Sequence, residues 1–366
     1  MRVLLINSVC GIGSTGRICT DLAKEYEANG DTVKIAHGRS GNVPERFEKY
    51  AIRIGTDIDV KVHAVYTRIT DKHGLASKRT TKRFLEWASK YDPDLLWLHN
   101  IHGYYINYEM LFDWIKSRPN MKVNWTLHDC WAFTGHCAYF SFAGCNKWKN
   151  ECRDCIQKHQ YPQSILKDNS LDNFRRKKNA FTGVGNMTLI TPSNWLAKLV
   201  RESFLGNYPV EVCHNRISTD VFKPTQSDFR ERYGLTNKKV VLGVANGWGA
   251  RKGYSDFIKL SAILDDNYAI VLVGVSSRQI NEMPENIIGI QRTDSPKELA
   301  EIYTAADVFV NTTYEDNYPT VNLEAQACGT PCITYNTGGS IESVPKENVV
   351  EQGNLDELVK AIERII

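Results

Sequence analysis

Residues 315–331 read Glu315-Asp-Asn-Tyr-Pro-Thr-Val-Asn-Leu-Glu-Ala-Gln-Ala-Cys-Gly-Thr-Pro331. The stretch places a carboxylate in a loop at Asp316, a proline where a helix can start at Pro319, and a second carboxylate at Glu324 inside that helix. Gly329 suits the helix stop, and Pro331 bars its continuation. The run before it, Asp307-Val-Phe-Val-Asn311, has the character of a buried strand. A strand ends, a loop carries an acid, and a helix opens beside it. The first amides of a helix are unpaired and its dipole favours negative charge, so the junction is a ready anion site. Phosphate at the helix amides near Pro319–Val321, flanked by hydroxyl-binding carboxylates, suits a nucleotide sugar.

Working outward, both halves of the chain alternate short apolar runs with amphipathic segments, the pattern of parallel sheets covered by helices. Strands are expected at 3–7, 32–36, 94–99, 122–128 and 187–191 in the first half. In the second half they are expected at 239–245, 268–275, 286–291, 307–311 and 331–335. Helices are expected at 16–29, 80–90, 193–202, 254–264, 296–305 and 356–365. The irregular stretch from Asn215 to Pro224 and the polar segment after it mark a boundary, giving domains 1–216 and 217–366. The fold class is therefore α/β, two Rossmann-like doubly wound domains facing across a cleft. Ligands of such sheets sit outside the carboxyl ends of the strands.

The chain has 366 residues, enough for two cores, with 42% hydrophobic and 24% charged residues. A net charge of +3 gives no reason to expect nucleic acid, although a local basic face could still meet a membrane surface. No apolar run reaches transmembrane length, and the N-terminus reads as a strand rather than a signal peptide. A cytoplasmic protein is expected. In that compartment ten cysteines argue for free thiols or a metal rather than a disulfide framework.

Four further features carry chemistry. Gly11-Ile-Gly13-Ser-Thr-Gly16-Arg17 follows the first strand and matches G-x-G-x-x-G. It can be a tight turn, a dinucleotide loop, or a backbone cradle for a diphosphate or an acceptor. The second expected strand ends Ala36-His37-Gly38-Arg39, with no acid for a ribose. Thr126-Leu-His128-Asp129-Cys-Trp131 ends another strand. His128 there can be structural, can bond a substrate hydroxyl, or can serve acid–base chemistry, with Asp129 orienting it or capping the next turn. Cys137, Cys145, Cys152 and Cys155 fall among aromatics in an insertion over about 130–160. Four thiolates suit a tetrahedral structural zinc, with buried free thiols and a redox pair as the alternatives. Lastly, Arg251-Lys252-Gly253 follows the Gly-rich run after the second domain's first strand. A solvated pair is the plain reading. Two cations at a helix start oppose the dipole, however, and an anionic ligand such as a diphosphate would relieve that conflict.

Taken in order, the glycine loop, the His-Asp step, the Arg-Lys-Gly and the acid-x7-Glu-Ala-x-Ala-x-Gly-x-Pro segment resemble glycosyltransferase family 4, of GT-B fold. The resemblance is strongest over 239–344. The His-Asp-Cys-Trp segment with its cysteines is similar to members from capsule, O-antigen and colanic-acid-type polysaccharide synthesis. The resemblance implies a retaining hexosyltransferase-type enzyme that moves a sugar from a nucleotide-diphosphate sugar to a saccharide or lipid-linked acceptor. It implies a place in the cytoplasm, peripheral at the inner membrane face, and no cofactor in catalysis. It carries Glu324 over as ribose ligand and Asp316 as the donor-sugar acid. Arg251 and Lys252 become diphosphate ligands, and His128 the histidine that approaches the sugar. Gly16, with Gly11 and Gly13, falls on the diphosphate and acceptor segment, while Gly338 and Gly339 fall on a turn lining the donor site. Three positions depart from the pattern: Asp316 stands for the usual Glu, Asn246 for a frequent Arg, and Arg216 for a turn Gly. An NAD(P)-dependent oxidoreductase using Gly11–Gly16 and a zinc-stabilised saccharide-binding protein without catalysis are the competing readings.

Overall fold

The computed structural model describes residues 1–39 and 41–366, in two compact units, Met1–His214 and Asn215–Ile366. Unit 1 holds strands β1 (Arg2–Asn7), β2 (Thr32–His37), β3 (Ala51–Arg53), β4 (Leu95–Leu98), β5 (Lys122–Thr126), β6 (Met187–Thr191) and β7 (Val210–Val212). They form one parallel sheet in the order β3-β2-β1-β4-β5-β6-β7. Unit 2 holds β8 (Lys239–Val244), β9 (Tyr268–Val273), β10 (Ile287–Ile290), β11 (Val308–Asn311), β12 (Cys332–Tyr335) and β13 (Val349–Val350). They too are parallel, in the order β10-β9-β8-β11-β12-β13. Both sheets are doubly wound, with strand order reversing between β1 and β4 and between β8 and β11. These are the switch points where ligands bind in such folds.

The strands read as nearly continuous apolar runs because each sheet is covered on both faces. Alternation still divides their side chains between two cores. In β8 and β9, Val240, Leu242, Ala269 and Val271 fill one core while Val241, Ile270 and Leu272 fill the other. In β1, Leu4 and Ile6 face one side and Val3 and Leu5 the opposite side.

Several elements lie beyond the sequence expectations. The edge strands β3, β7 and β13 are two or three residues long, too short to show a period. The helices Asp57–Thr70, Tyr108–Lys116 and Ser170–Phe181 were not anticipated. The first helix starts at Gly13, not 16, so Gly16 is a buried residue of its first turn. There an added Cβ would lie 3.2 Å from the Gly11 amide nitrogen. Gly11 has its own structural reason: φ is +71°, and a Cβ would come within 2.6 Å of the Phe47 ring.

Candidate active site

In unit 2 the expected residues gather on the loops after β8 and β11, which flank the switch point. Arg251 and Lys252 occupy a short 3-10 turn, Ala250–Lys252, ahead of the helix Tyr254–Ser261. Lys252 Nζ lies 2.5 Å from Asp316 Oδ2. Arg251 Nη1 donates to the Glu315 carbonyl at 2.7 Å. The conflict between two cations and the helix dipole is thus met, in this state, by a carboxylate and a carbonyl of the opposite loop. Burial works against ionisation of Asp316, yet the Lys252 ammonium and then the Arg251 guanidinium hold its carboxyl below the usual carboxylate range.

The two loops are locked backbone to backbone. Tyr314 N donates to Arg251 O at 2.8 Å, and Thr312 Oγ1 donates to Lys252 O at 3.1 Å. Gly338 brings a third loop in: its φ is +52°, and an added Cβ would stand 2.1 Å from the Asp316 carbonyl oxygen. Gly339 N then donates to that oxygen at 3.2 Å. Lys252, Asp316, Gly338 and Gly339 are therefore neighbours, as their shared assignment to a donor site requires.

The helix beside them runs Thr320–Ala327, with Pro319 at its N-cap and no side chain capping its first amides. Pro319 has no N–H, so the amides this end can turn toward an anion are those of Thr320 and Val321. One turn further on, Glu324 is buried and accepts from Tyr303 OH at 3.2 Å.

Sequence reasoning missed two residues that hold this site. Asn322 is fully buried. Its Oδ1 accepts from Asn311 Nδ2 at 2.8 Å, and its Nδ2 donates to Ser343 Oγ at 2.9 Å and Ser340 Oγ at 3.3 Å. It ties the helix to the end of β11 and to the turn after Gly339. Asp256, also buried, accepts from Tyr314 OH at 2.8 Å and Tyr335 OH at 3.0 Å, anchoring the Asp316 loop from below. Burial, and then Asp256, push the Tyr314 hydroxyl up to about 12. Asn322 falls at an unspecified position of the acid-x7-Glu segment and Asp256 lies outside the motifs, and only the folded loops show what they hold.

In unit 1, His128 and Asp129 follow β5 and line a pocket with His99, Asn100, His102, Thr126 and Trp131. The His128 and His99 rings are stacked, with His128 Nε2 3.1 Å from His99 Nδ1. Burial pushes the His128 imidazole down to about 4 although Asp129 pulls the other way, so the ring is neutral at pH 7. A neutral ring suits a hydrogen-bonding role better than proton donation. Asp129 also caps the turn that follows it and meets a second histidine. Its Oδ2 lies 3.0 Å from His102 Nε2, and its Oδ1 accepts from Trp131 N at 2.9 Å. Burial opposes charge on Asp129, but His102 holds its carboxyl below the ordinary range. His102 in turn meets Tyr161 OH at 2.9 Å through Nδ1. His99 and His102 were absent from the expected site. Their strand-end position after β4 is the signal that could have found them.

Cys137, Cys145, Cys152 and Cys155 do converge, lining one cavity with His136 and Trp148. The neighbouring Cys155 and then burial push the Cys137 thiol up, while Cys155, beside Cys137, is pulled down to about 7. Among the described residues, however, no three His, Cys, Asp or Glu side chains are placed to hold a metal.

Fold and site together define a two-unit α/β protein of the GT-B class. Residues 225–366, most of unit 2, match the family model described as glycosyl transferases group 1. The chain is similar to a putative colanic acid biosynthesis glycosyl transferase, WcaC, of Escherichia coli K12, with 24% identity over 262 residues. That alignment covers 69% of this chain and 62% of the relative, so just under two thirds of the relative's length is spanned. Among solved structures, sucrose-phosphate synthase from Thermosynechococcus elongatus superposes with a TM-score of 0.69 at 19% identity, covering all of this chain and 89% of that one. Anabaena HepE in complex with UDP-glucose superposes with a TM-score of 0.65 at 15% identity, over 100% and 89% of the two chains.

Proposed function

We propose that the chain is a retaining glycosyltransferase. It would take a sugar from a nucleotide-diphosphate donor held by unit 2 and pass it to a saccharide or lipid-linked saccharide in surface polysaccharide synthesis. The observation that carries this reading is the Arg251–Lys252 turn set against Asp316, beside the uncapped N-terminus of Thr320–Ala327, at the switch point of unit 2. Departure of a nucleoside diphosphate needs its growing negative charge stabilised, and these cations and amides supply that without a metal. The donor would displace Asp316 or Glu315 from part of its hold on the cations. Glu324 would accept from the ribose hydroxyls, and Asp316 would meet the sugar. In unit 1, neutral His128 would bond a sugar hydroxyl. The transition state would be oxocarbenium-like, with the leaving phosphate taking the acceptor proton on the same face. No protein nucleophile is assigned.

A thermal-shift screen against UDP, GDP, dTDP and ADP sugars tests the reading. HepE is known with UDP-glucose, which puts UDP-sugars first. A selective rise in melting temperature is expected for one donor class, and silence across all four would sink the proposal. Arg251→Ala is expected to keep the fold and nearly abolish transfer. An oxidoreductase on the Gly11–Gly16 loop would instead respond to NAD(P)H. We place the enzyme in the cytoplasm, peripheral at the inner membrane face, in keeping with a lipid-linked acceptor. A structural zinc on Cys137, Cys145, Cys152 and Cys155 is a separate proposal. Their shared cavity supports it, and the lack of a metal-holding group among the described residues opposes it. The metal content of the purified protein decides it.

A further inference from the structure

The helix Asp57–Thr70 is inverted relative to an ordinary surface helix. Its buried residues are polar: His63 and Thr67. His63 Nδ1 meets Ser77 Oγ at 2.8 Å, and its Nε2 accepts from Gly74 N at 3.2 Å. The outward stripe is apolar, with Ile58 72%, Val62 62%, Val65 52% and Ile69 46% exposed. Spacings of four, three and four residues place them on one face. The stripe continues across a neighbouring loop. Ile165 N donates to Arg68 O at 2.8 Å, which sets exposed Ile165 and Leu166, at 55% and 67%, beside the helix end. Scattered exposed apolar residues need no explanation, but a contiguous stripe on a helix that sends only Val60 to the apolar core and buries His63 and Thr67 does.

The charge around the stripe selects its partner. Residues 60–91 contain eight Lys or Arg against two acids, Asp71 and Glu86. Asp71 is buried 2.5 Å from His136 Nδ1, which removes it from the surface. Lys61 and Arg68 are exposed on the helix itself. The His63–Ser77 contact brings exposed Lys78 and Arg79, at the start of the helix Lys78–Tyr91, beside its middle. The acids at the first turn, Asp57 and Asp59, are taken up by Arg53 and by the Thr56 cap. Apolar side chains rimmed by cations fit an anionic lipid surface, with the helix lying in the interface plane.

We propose that the helix Asp57–Thr70, with Ile165 and Leu166, is the face by which this chain docks on an anionic bilayer. The inference rests on the membrane part of the proposed function and not on its chemistry. The test is flotation of the full chain with phosphatidylglycerol-containing vesicles and with phosphatidylcholine vesicles. Wild type should float with the anionic vesicles, less so as salt rises. Val62→Glu combined with Ile69→Glu should cut binding by roughly tenfold or more, and Lys78→Glu with Arg79→Glu should remove the lipid-charge dependence. Failure of wild type to float, or full binding by the Val62→Glu/Ile69→Glu variant, overturns the proposal. So does a concentration-dependent dimer that the same variant abolishes, since a second copy would then cover the face. Circular dichroism confirms the fold, and Val62→Ser with Ile69→Ser is the gentler pair where Glu perturbs it. A donor-induced thermal shift retained in the non-floating variant separates loss of docking from failure of the transfer reading.

Discussion

Lys252 and Asp316 are the residues on which the proposed donor site turns. Each is largely screened from water, at 22% and 15% side-chain exposure. Removing one partner leaves the other charge poorly compensated, a larger effect than loss of an exposed pair. Lys252→Met is expected to destabilise unit 2 by about 1–3 kcal/mol in urea titrations. It should also weaken donor binding by roughly tenfold in calorimetry, about 1.4 kcal/mol. Unchanged donor affinity would remove Lys252 from the binding role. The Lys252 contact also bears on Asp316 itself. One methylene shorter than the Glu of the resembling family, Asp316 still reaches the Lys252 ammonium.

At the scale of elements, the helix Thr320–Ala327 is only eight residues long, too short to hold its position by propensity alone. Asn322 anchors it through three side-chain partners. Asn322→Ala would strand buried polar groups on Asn311, Ser340 and Ser343. A loss of about 2 kcal/mol is expected, with donor affinity falling in parallel. A variant as stable as wild type would refute the anchoring role. Gly338→Ala tests the neighbouring turn. A Cβ 2.1 Å from a carbonyl oxygen has no room, so the Asp316 loop must move, and donor binding should fall more than stability. The sequence made the helix, its Pro319 start and its Gly329 stop legible, because caps and breakers are local signals. Asn322 was not legible, because an asparagine inside a helix carries no sign of what lies across from it.

For the molecule as a whole, histidine burial is concentrated in unit 1. Burial pushes His63 and His128 down to about 4 and His73 and His99 well below their ordinary value. Each stays neutral when folded and takes a proton near pH 6.5 when unfolded. The unfolded state therefore binds more protons below pH 6.5, and unit 1 loses stability as pH falls from there toward 4. His136 works in the opposite sense, because against burial Asp71 holds its imidazole up, but the four depressed rings outnumber it. Thermal melts from pH 7.5 to 5 should show a falling transition for unit 1. A transition flat across that range would mean these rings are protonated in the fold. Asp316 and Asp129, held low, contribute stability above the unfolded carboxylate value of about 3.9 and lose it only as pH falls below that. Their loss therefore follows the histidine step.

The sequence by itself determined the two parallel α/β sheets, since strands buried on both faces must be apolar and strand-to-helix junctions carry their own glycines, prolines and acids. It also determined which loops bear chemistry, since the basic pair, the His-Asp step and the acid-x7-Glu segment each follow a strand. Only the tertiary structure decided the pairings. It gave Lys252 to Asp316, Arg251 to the Glu315 carbonyl, and Asp129 to His102, and it gathered Cys137, Cys145, Cys152 and Cys155 around one cavity. It also turned the apolar side of Asp57–Thr70 outward. A periodic pattern says that a helix has two faces. Which face is buried depends on what packs against it, and here His63 finds Ser77 and the Gly74 amide, partners that only the folded chain brings within reach.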